Sequence, residues 1–198
     1  MTLNILHPVL DKKGETPNFA SQPYDLKIEH TLSLKEFGRI NLRPIRIEDE
    51  NEMVDFHLKL SEESIYLRYF EHITLDTRTL HERLARICTN TDESFAIVAE
   101  TPANGHLPAQ IIGVGRLTTT ETPGKAAFAM IVAGVALETH LPRELLKHLL
   151  TIARAYRFRT VTGELLVADH DMLNLCRSLG FRLHTVPDEG IVRVHFGL

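Results

Sequence analysis

The chain has 198 residues, of which 43% are hydrophobic and 24% charged, and its 22 basic against 26 acidic side chains give a net charge of −4. This composition is that of an ordinary globular protein, and it excludes the disordered, collagen-like and disulfide-rich classes. Without excess positive charge we expect no nucleic-acid partner. No apolar run is long enough to span a bilayer, and Cys88 and Cys176 are far apart in sequence, so we expect a cytoplasmic protein with no membrane association.

The first 27 residues form the least patterned part of the sequence. They contain three prolines and a glycine, which disfavour a long helix or a central strand. We predict an N-terminal extension over residues 1–27 that lies on the following domain or joins another chain. The domain itself is predicted to span residues 28–198.

The domain is predicted to begin with a hairpin that turns at residues 35–38 and whose second strand ends at Pro44. Apolar residues at helical spacing then predict helices from Glu48 to Leu60, over 64–70 and over 77–88. Strands are predicted at 95–99, 111–118, 126–132, 161–167 and 191–196. One long helix is predicted to begin near Pro142, and a separate short helix is predicted over 172–179. This order indicates an α+β fold, an α/β sandwich with a mixed sheet covered on both faces.

Two apparent chemical motifs are interpreted as structural. Gly113 and Gly115 resemble part of a dinucleotide-binding loop, but no third glycine follows, so we predict that they lie within a strand. The 11 histidines include no HExxH motif, and the chain has no CxxC pair, so no metal site is predicted.

Several separated segments carry a family resemblance. Residues 40–50 (INLRPIRIEDE) and 60–70 (LSEESIYLRYF) are similar to the opening of a GNAT-superfamily N-acetyltransferase, most of all in the bacterial protein-lysine acetyltransferase branch. Three C-terminal segments resemble the last helix and strands of that branch: 163–166, 172–181 and 190–194. The resemblance covers about residues 28–196. It implies a mixed, mainly antiparallel central sheet with helices on both faces, and transfer of an acyl group from acetyl-CoA or another acyl-CoA to a protein lysine or a small amine.

The resemblance also implies where acetyl-CoA binds, between two splayed central strands with its diphosphate at the N-terminus of the long helix. A glutamate on the preceding strand is the usual base, and Ala127 stands at that position. The glutamine and glycines of the phosphate loop fall on Leu137, Glu138, His140 and Pro142. Pro142 has no N–H to donate to a phosphate. Repulsion between Glu138 and one phosphate charge at about 5 Å, with a dielectric near 20, costs about 3 kcal/mol, which lowers the affinity by about a hundredfold. We therefore expect a degraded acetyl-CoA site.

The remaining roles implied by the resemblance leave alternatives open. The acyl-CoA contacts are assigned to Val132, Leu137, Glu138, Thr139, His140, Leu141, Pro142, Arg143 and Asp169. Cys176 is a candidate general acid or, alternatively, a small buried hydrophobe. Glu164 is a candidate base, with Glu121 and His140 as alternatives. Two hypotheses follow. The first is an N-acyltransferase with altered groups, which an open cleft between the central strands would favour. The second is a non-catalytic GNAT-like module that senses a ligand or binds a partner, including a second copy in a homodimer, which a cleft filled with side chains would favour.

Overall fold

The structure is a computed structural model that describes residues 17–20, 27–105 and 108–198, so most of the predicted extension lies outside the described residues. Eight strands form one sheet: β1 His30–Leu34, β2 Gly38–Pro44, β3 Ser94–Thr101, β4 Gln110–Thr119, β5 Lys125–Val132, β6 Thr160–Leu166, β7 Arg182–Val186 and β8 Ile191–Gly197. Their order across the sheet is β1-β2-β3-β4-β5-β6-β8-β7. β5 and β6 are parallel and the other neighbours pair antiparallel. The predicted mixed, mainly antiparallel sheet is confirmed.

Helices cover both faces of this sheet, as predicted. A 3₁₀ turn at Ile47–Asp49 precedes the helices, which are α1 Glu50–Leu58, α2 Glu62–Tyr69, α3 Leu75–Arg78, α4 His81–Ile87, α5 Gly134–Leu137, α6 Leu141–Ala155 and α7 His170–Ser178. The apolar stripe of α6, with Leu145 and Leu149, packs in the larger core together with α7. On the opposite face, Met53 and Phe56 of α1 pack with residues of α2 and α4 against the sheet. None of the described helices is long and apolar enough to cross a membrane.

Two local predictions differ from the structure. The single helix predicted over 77–88 is two helices, because the Thr79 hydroxyl donates to the Leu75 carbonyl and Leu80 is extended, which ends α3 and starts α4 anew. The short elements α5 and β7 were not predicted. β7 lies at the sheet edge with mostly exposed or half-buried residues, so its sequence carries no apolar alternation.

The glycines of β4 allow α6 to approach the sheet. Gly113 and Gly115 both lie within the strand, which confirms the structural interpretation of this motif. A Cβ atom added at Gly115 would come within 2.9 Å of Leu149 Cδ1, closer than atoms of this kind pack. The close approach brings the N-terminal end of α6 over the centre of the sheet.

A buried ion network fixes the start of α1. Arg43 of β2 donates two hydrogen bonds of 2.8 Å to the carboxylate of Asp49, and it also pairs with Glu100 of β3. The Arg46 backbone N–H donates to the same Asp49 carboxylate. These contacts raise the pKa of Arg43 above its ordinary value, since both carboxylates favour the charged guanidinium. The start of α1 is thereby tied to β2 and β3.

Part of the N-terminal segment lies on the domain. The Phe19 backbone N–H donates to the Asp92 carbonyl at 2.8 Å. The Phe19 ring packs against Phe95, Tyr156 and Phe158 with centroid separations of 5.8, 5.0 and 5.1 Å. Phe19 therefore extends the larger core beyond the sheet and α6.

Candidate active site

The two central strands β5 and β6 separate after a short paired region. Their ladder consists of Lys125 with Thr160, Ala126 with Val161 and Ala127 with Thr162. Beyond these pairs, β5 continues along β4 to Val132, whereas β6 continues along β8 to Leu166. The Phe128 ring fills the space over Gly163, where an added Cβ would lie 2.6 Å from a ring carbon.

An open cleft of about 520 Å³ lies where the strands separate. This volume is within the range of small-molecule sites, about 300–1,000 Å³. Residues 128–132 of β5 with Glu164 and Leu165 of β6 line its base. Its walls are formed by Ser61, Glu63, Ser64, Leu67 and Arg68 at α2, by Leu137, Glu138, Thr139, Pro142 and Arg143 before and in α6, and by Asp169, Asp171, Met172 and Leu175 at α7.

Comparisons with known proteins and solved structures identify the fold of this chain. No family profile matches the chain. The chain is 27% identical to Acetyltransferase PA5475 of Pseudomonas aeruginosa over 168 residues, 84% of this chain and 88% of that protein. It superimposes on the GNAT domain of S. lividans PAT with a TM-score of 0.74 and 23% identity, over 88% of this chain and 99% of that one. The chain has the fold of the GNAT superfamily.

A second solved structure supports the same GNAT fold. RimJ of Mycobacterium smegmatis, in complex with CoA-disulfide, matches with a TM-score of 0.65 and 14% identity over 85% of this chain and 86% of that chain. The fold that the resemblance implied is therefore confirmed.

Most of the residues assigned by resemblance line the cleft: Val132, Leu137, Glu138, Thr139, Pro142, Arg143, Glu164 and Asp169. Five others are not among the lining residues of the described chain. Glu121 is exposed in the turn between β4 and β5. Ala127 lies in the paired part of β5, below the point of separation. Leu141 is buried in the larger core, Cys176 is buried on the inner side of α7, and His140 is exposed at the N-cap of α6.

The N-terminus of α6 offers few free donors to an anion. The Leu141 N–H donates to Thr139 Oγ1 at 3.1 Å, and Pro142 has no N–H. The Glu144 N–H already donates to the His140 carbonyl. The Arg143 guanidinium donates to Ser178 Oγ at 2.8 Å, which ties α6 to α7. The backbone N–H groups of Leu141 and Glu144 are thus already bonded within the protein.

The charged groups of the cleft are mainly acidic. Its lining residues include Glu63, Glu138, Glu164, Asp169 and Asp171 against Arg68 and Arg143. Asp169 caps α7 by accepting from the Met172 N–H, and its burial raises the pKa of the carboxyl group. A cationic group is therefore favoured in this cleft over a polyanion. Within the described residues, no group of three or more potential ligands is placed to hold a metal ion.

A carboxylate lies beside the cleft on the strand next to Ala127. Glu164 is two residues beyond Thr162, the β6 partner of Ala127, so both side chains lie on the same face of the sheet. Glu164 is half exposed, and its Oε1 accepts from Arg193 Nε at 2.9 Å. β6 thus supplies to this face the acidic group that β5 lacks.

Cys176 is buried on the inner side of α7. The side chain is 0% exposed and packs in the larger core. Burial, together with Asp169, raises the pKa of the thiol to about 12. The thiol is therefore protonated at neutral pH, and Cys176 is not among the described residues that line the cleft.

The sequence analysis did not assign the α2 wall of the cleft. Ser61, Ser64 and Arg68 line the cleft, and their spacing of three and four residues places them on one helical face. The sequence did contain a signal for this wall, namely polar residues at helical spacing in a segment that carries the resemblance. That signal identifies a polar helix face but not the cleft that it lines.

Proposed function

We propose that this protein is an acyl-CoA-dependent N-acyltransferase with a weakened hold on the CoA diphosphate. The observation that carries the proposal is the open cleft where β5 and β6 separate, in a chain with the GNAT fold. An open cleft is what we expected of an acyltransferase, and a cleft filled with side chains is what we expected of a binding module.

The cleft suits one part of an acyl-CoA better than another. Past Ala127 and Thr162, β5 and β6 no longer pair with each other, so backbone groups on the facing edges are available to the amides of a pantetheine arm. The diphosphate fits less well, because Pro142 has no N–H, the Leu141 N–H is occupied and Glu138 adds negative charge. We therefore expect the acyl-pantetheine portion to supply most of the binding.

Glu164 is our candidate for the base. Its carboxylate takes a proton from the acceptor amine, whose nitrogen lone pair attacks the thioester carbonyl; the thiolate then leaves and takes a proton from water. A positioned base of this kind contributes about 10²–10⁴ in rate. We assign Cys176 to packing, because its side chain is fully buried in the larger core and is not among the described residues that line the cleft.

The test compares Glu164→Gln with Glu36→Gln, a matched control in the exposed turn between β1 and β2. Thiol release from acetyl-CoA is followed with lysine peptides and with small amines, and products are identified by mass spectrometry. We expect at least one acceptor to be acetylated, with a loss of about a hundredfold or more in Glu164→Gln and none in Glu36→Gln. Acetylation that is equal in both variants would rule out Glu164 as the base.

The second candidate is a non-catalytic GNAT-like module, and the acidic lining of the cleft favours it. Leu137 is 48% exposed at the cleft and offers an apolar contact to a partner or a second copy. Calorimetric titration with acetyl-CoA separates the candidates. No binding at millimolar ligand, with binding regained by a Glu138→Gly, His140→Gly, Pro142→Gly variant, would favour the module.

A further inference from the structure

A second, smaller cavity lies on the α1–α4 side of the sheet. Its volume is about 180 Å³, and it is bounded by α1, α2 and α4 on one side and by β4 and β5 on the other. Its charged or titratable lining residues are His57, Arg68, Tyr69, Arg83, Arg86 and Arg116. None of the described aspartates or glutamates lines this cavity. Four guanidinium groups thus surround a small space without a carboxylate.

His57 shows that the polar lining lacks partners. Its side chain is 1% exposed, and neither ring nitrogen has a hydrogen-bond partner among the described residues. Burial and the charges of Arg78 and Arg83 lower the pKa of His57 to about 4. Buried polar atoms are nearly always hydrogen-bonded in folded proteins, so an unpartnered imidazole at a cavity wall indicates a group that belongs in that cavity.

The arginines are likewise held without counter-charges. Arg68 and Arg83 both lie against the ring of Tyr69, at 4.9 and 5.3 Å from its centroid, and Arg83 Nε is buried without a hydrogen-bond partner. Arg116 donates to Ser94 Oγ at 2.7 Å and to the Ile87 carbonyl, both neutral acceptors.

No ion pair joins Arg68, Arg83 or Arg116 to a described carboxylate. Glu52 Oε2 is also buried and unpartnered, but Glu52 does not line the cavity. Like charges at short range repel one another, and burial removes the water that would screen them.

We propose that this cavity binds an oxyanion group, a phosphate or a carboxylate, of a small metabolite. Arginine side chains present planar pairs of donors that match both groups, and the volume corresponds to about six water molecules at roughly 30 Å³ each. A bound oxyanion would neutralise Arg68 and Arg83 together and accept a hydrogen bond from the N–H of the neutral His57 ring.

Arg68 connects this cavity to the cleft, because it lines both. The cleft is mainly acidic and the cavity is cationic, so the pair is complementary to a molecule with an amine at one end and an oxyanion at the other. Resting on the proposed function, the acceptor is then a small amine that carries a phosphate or a carboxylate, rather than an uncharged amine.

The anion site is tested without acetyl-CoA, so that its outcome does not depend on acyl transfer. Inorganic phosphate and succinate are titrated at constant ionic strength, by calorimetry and thermal unfolding, into the natural protein and the variants Arg68→Gln, Arg83→Gln and Arg39→Gln. Arg39 is exposed on β2 and serves as the matched control.

We expect at least one probe to bind the natural protein and Arg39→Gln with saturation, and its affinity to fall at least tenfold in the other two variants. Without a probe, Arg68→Gln and Arg83→Gln should unfold at the same or a higher temperature than the natural protein, because repulsion is relieved; a purely structural role would lower that temperature. No saturable binding of either probe, or equal affinity in all four proteins, would overturn the proposal.

The acceptor class is tested separately with acetyl-CoA, using phosphoethanolamine, free amino acids and ethanolamine. We expect kcat/KM to favour the anionic amines, and Arg83→Gln to lower it at least tenfold for these amines alone. Probe binding without acetylation of any amine would contradict the acceptor class while the anion site stands. Faster acetylation of ethanolamine would contradict the charge complementarity.

Discussion

The charge of Glu138 should weaken acyl-CoA binding by an amount that its exposure sets. The side chain is exposed at the cleft, so water screens it more than the sequence-based estimate assumed. At about 5 Å in a dielectric near 80, one charge pair costs about 0.8 kcal/mol, and two diphosphate charges cost about 1.7 kcal/mol. Glu138→Gln should therefore bind acetyl-CoA about 15-fold more tightly at low salt. At 0.15 M salt, where the Debye length is about 8 Å, the gain should shrink to about fivefold.

Calorimetry at both salt concentrations measures this gain, with acetyl-pantetheine as a ligand that lacks the diphosphate. Its affinity should be the same in the natural protein and in Glu138→Gln, and Glu36→Gln should change neither ligand. An equal gain for both ligands would refute the reasoning, because the effect would then not arise from the diphosphate. A gain that does not fall with salt would refute its electrostatic origin.

Three further outcomes concern stability and the thiol. The pKa of His57 is lowered from 6.5 to about 4, so its contribution to the free energy of unfolding is present above pH 6.5 and lost as the pH falls towards 4. Between pH 7 and pH 5, the free energy of unfolding measured in urea should therefore fall by roughly 1–2 kcal/mol less in His57→Gln than in the natural protein. Phe19→Ala should cost about 3 kcal/mol of unfolding free energy, and the exposed control Asn18→Ala under about 1, unless the aromatic contacts contribute nothing. Cys176→Ala should lower the unfolding temperature but leave the acetylation rate within about threefold, and a hundredfold loss would instead make Cys176 the general acid.

The sequence predicted those elements whose own residues carry a clear period. The hairpin of β1 and β2 and the apolar stripe of α6 follow from local alternation and helical spacing. β7 lacked this signal because it is a short edge strand, and the break at Leu80 has neither proline nor glycine to mark it. Tertiary pairing and packing decide both features.

The cleft was partly predictable from the sequence, whereas the arginine cavity was not. Residues 137–143 were assigned because a resemblance aligned one continuous loop, whereas the cavity gathers His57, Arg68, Arg83 and Arg116 from three helices and a strand. Each of these side chains has an ordinary local context in the sequence. Their common surroundings arise only when the helices fold over β4 and β5.

Only three residue pairs join β5 to β6, so few backbone hydrogen bonds connect the two parts of the sheet. β1 to β5 form one continuous antiparallel ladder, while β6, β8 and β7 form another, and Phe128 against Phe181 at 5.6 Å adds a side-chain contact near the join. Proteins open locally along boundaries with few shared bonds, so we expect amide hydrogen exchange to report two cooperative units that meet at the cleft. A ligand that binds both strand edges would link the two units and slow amide hydrogen exchange in both of them together.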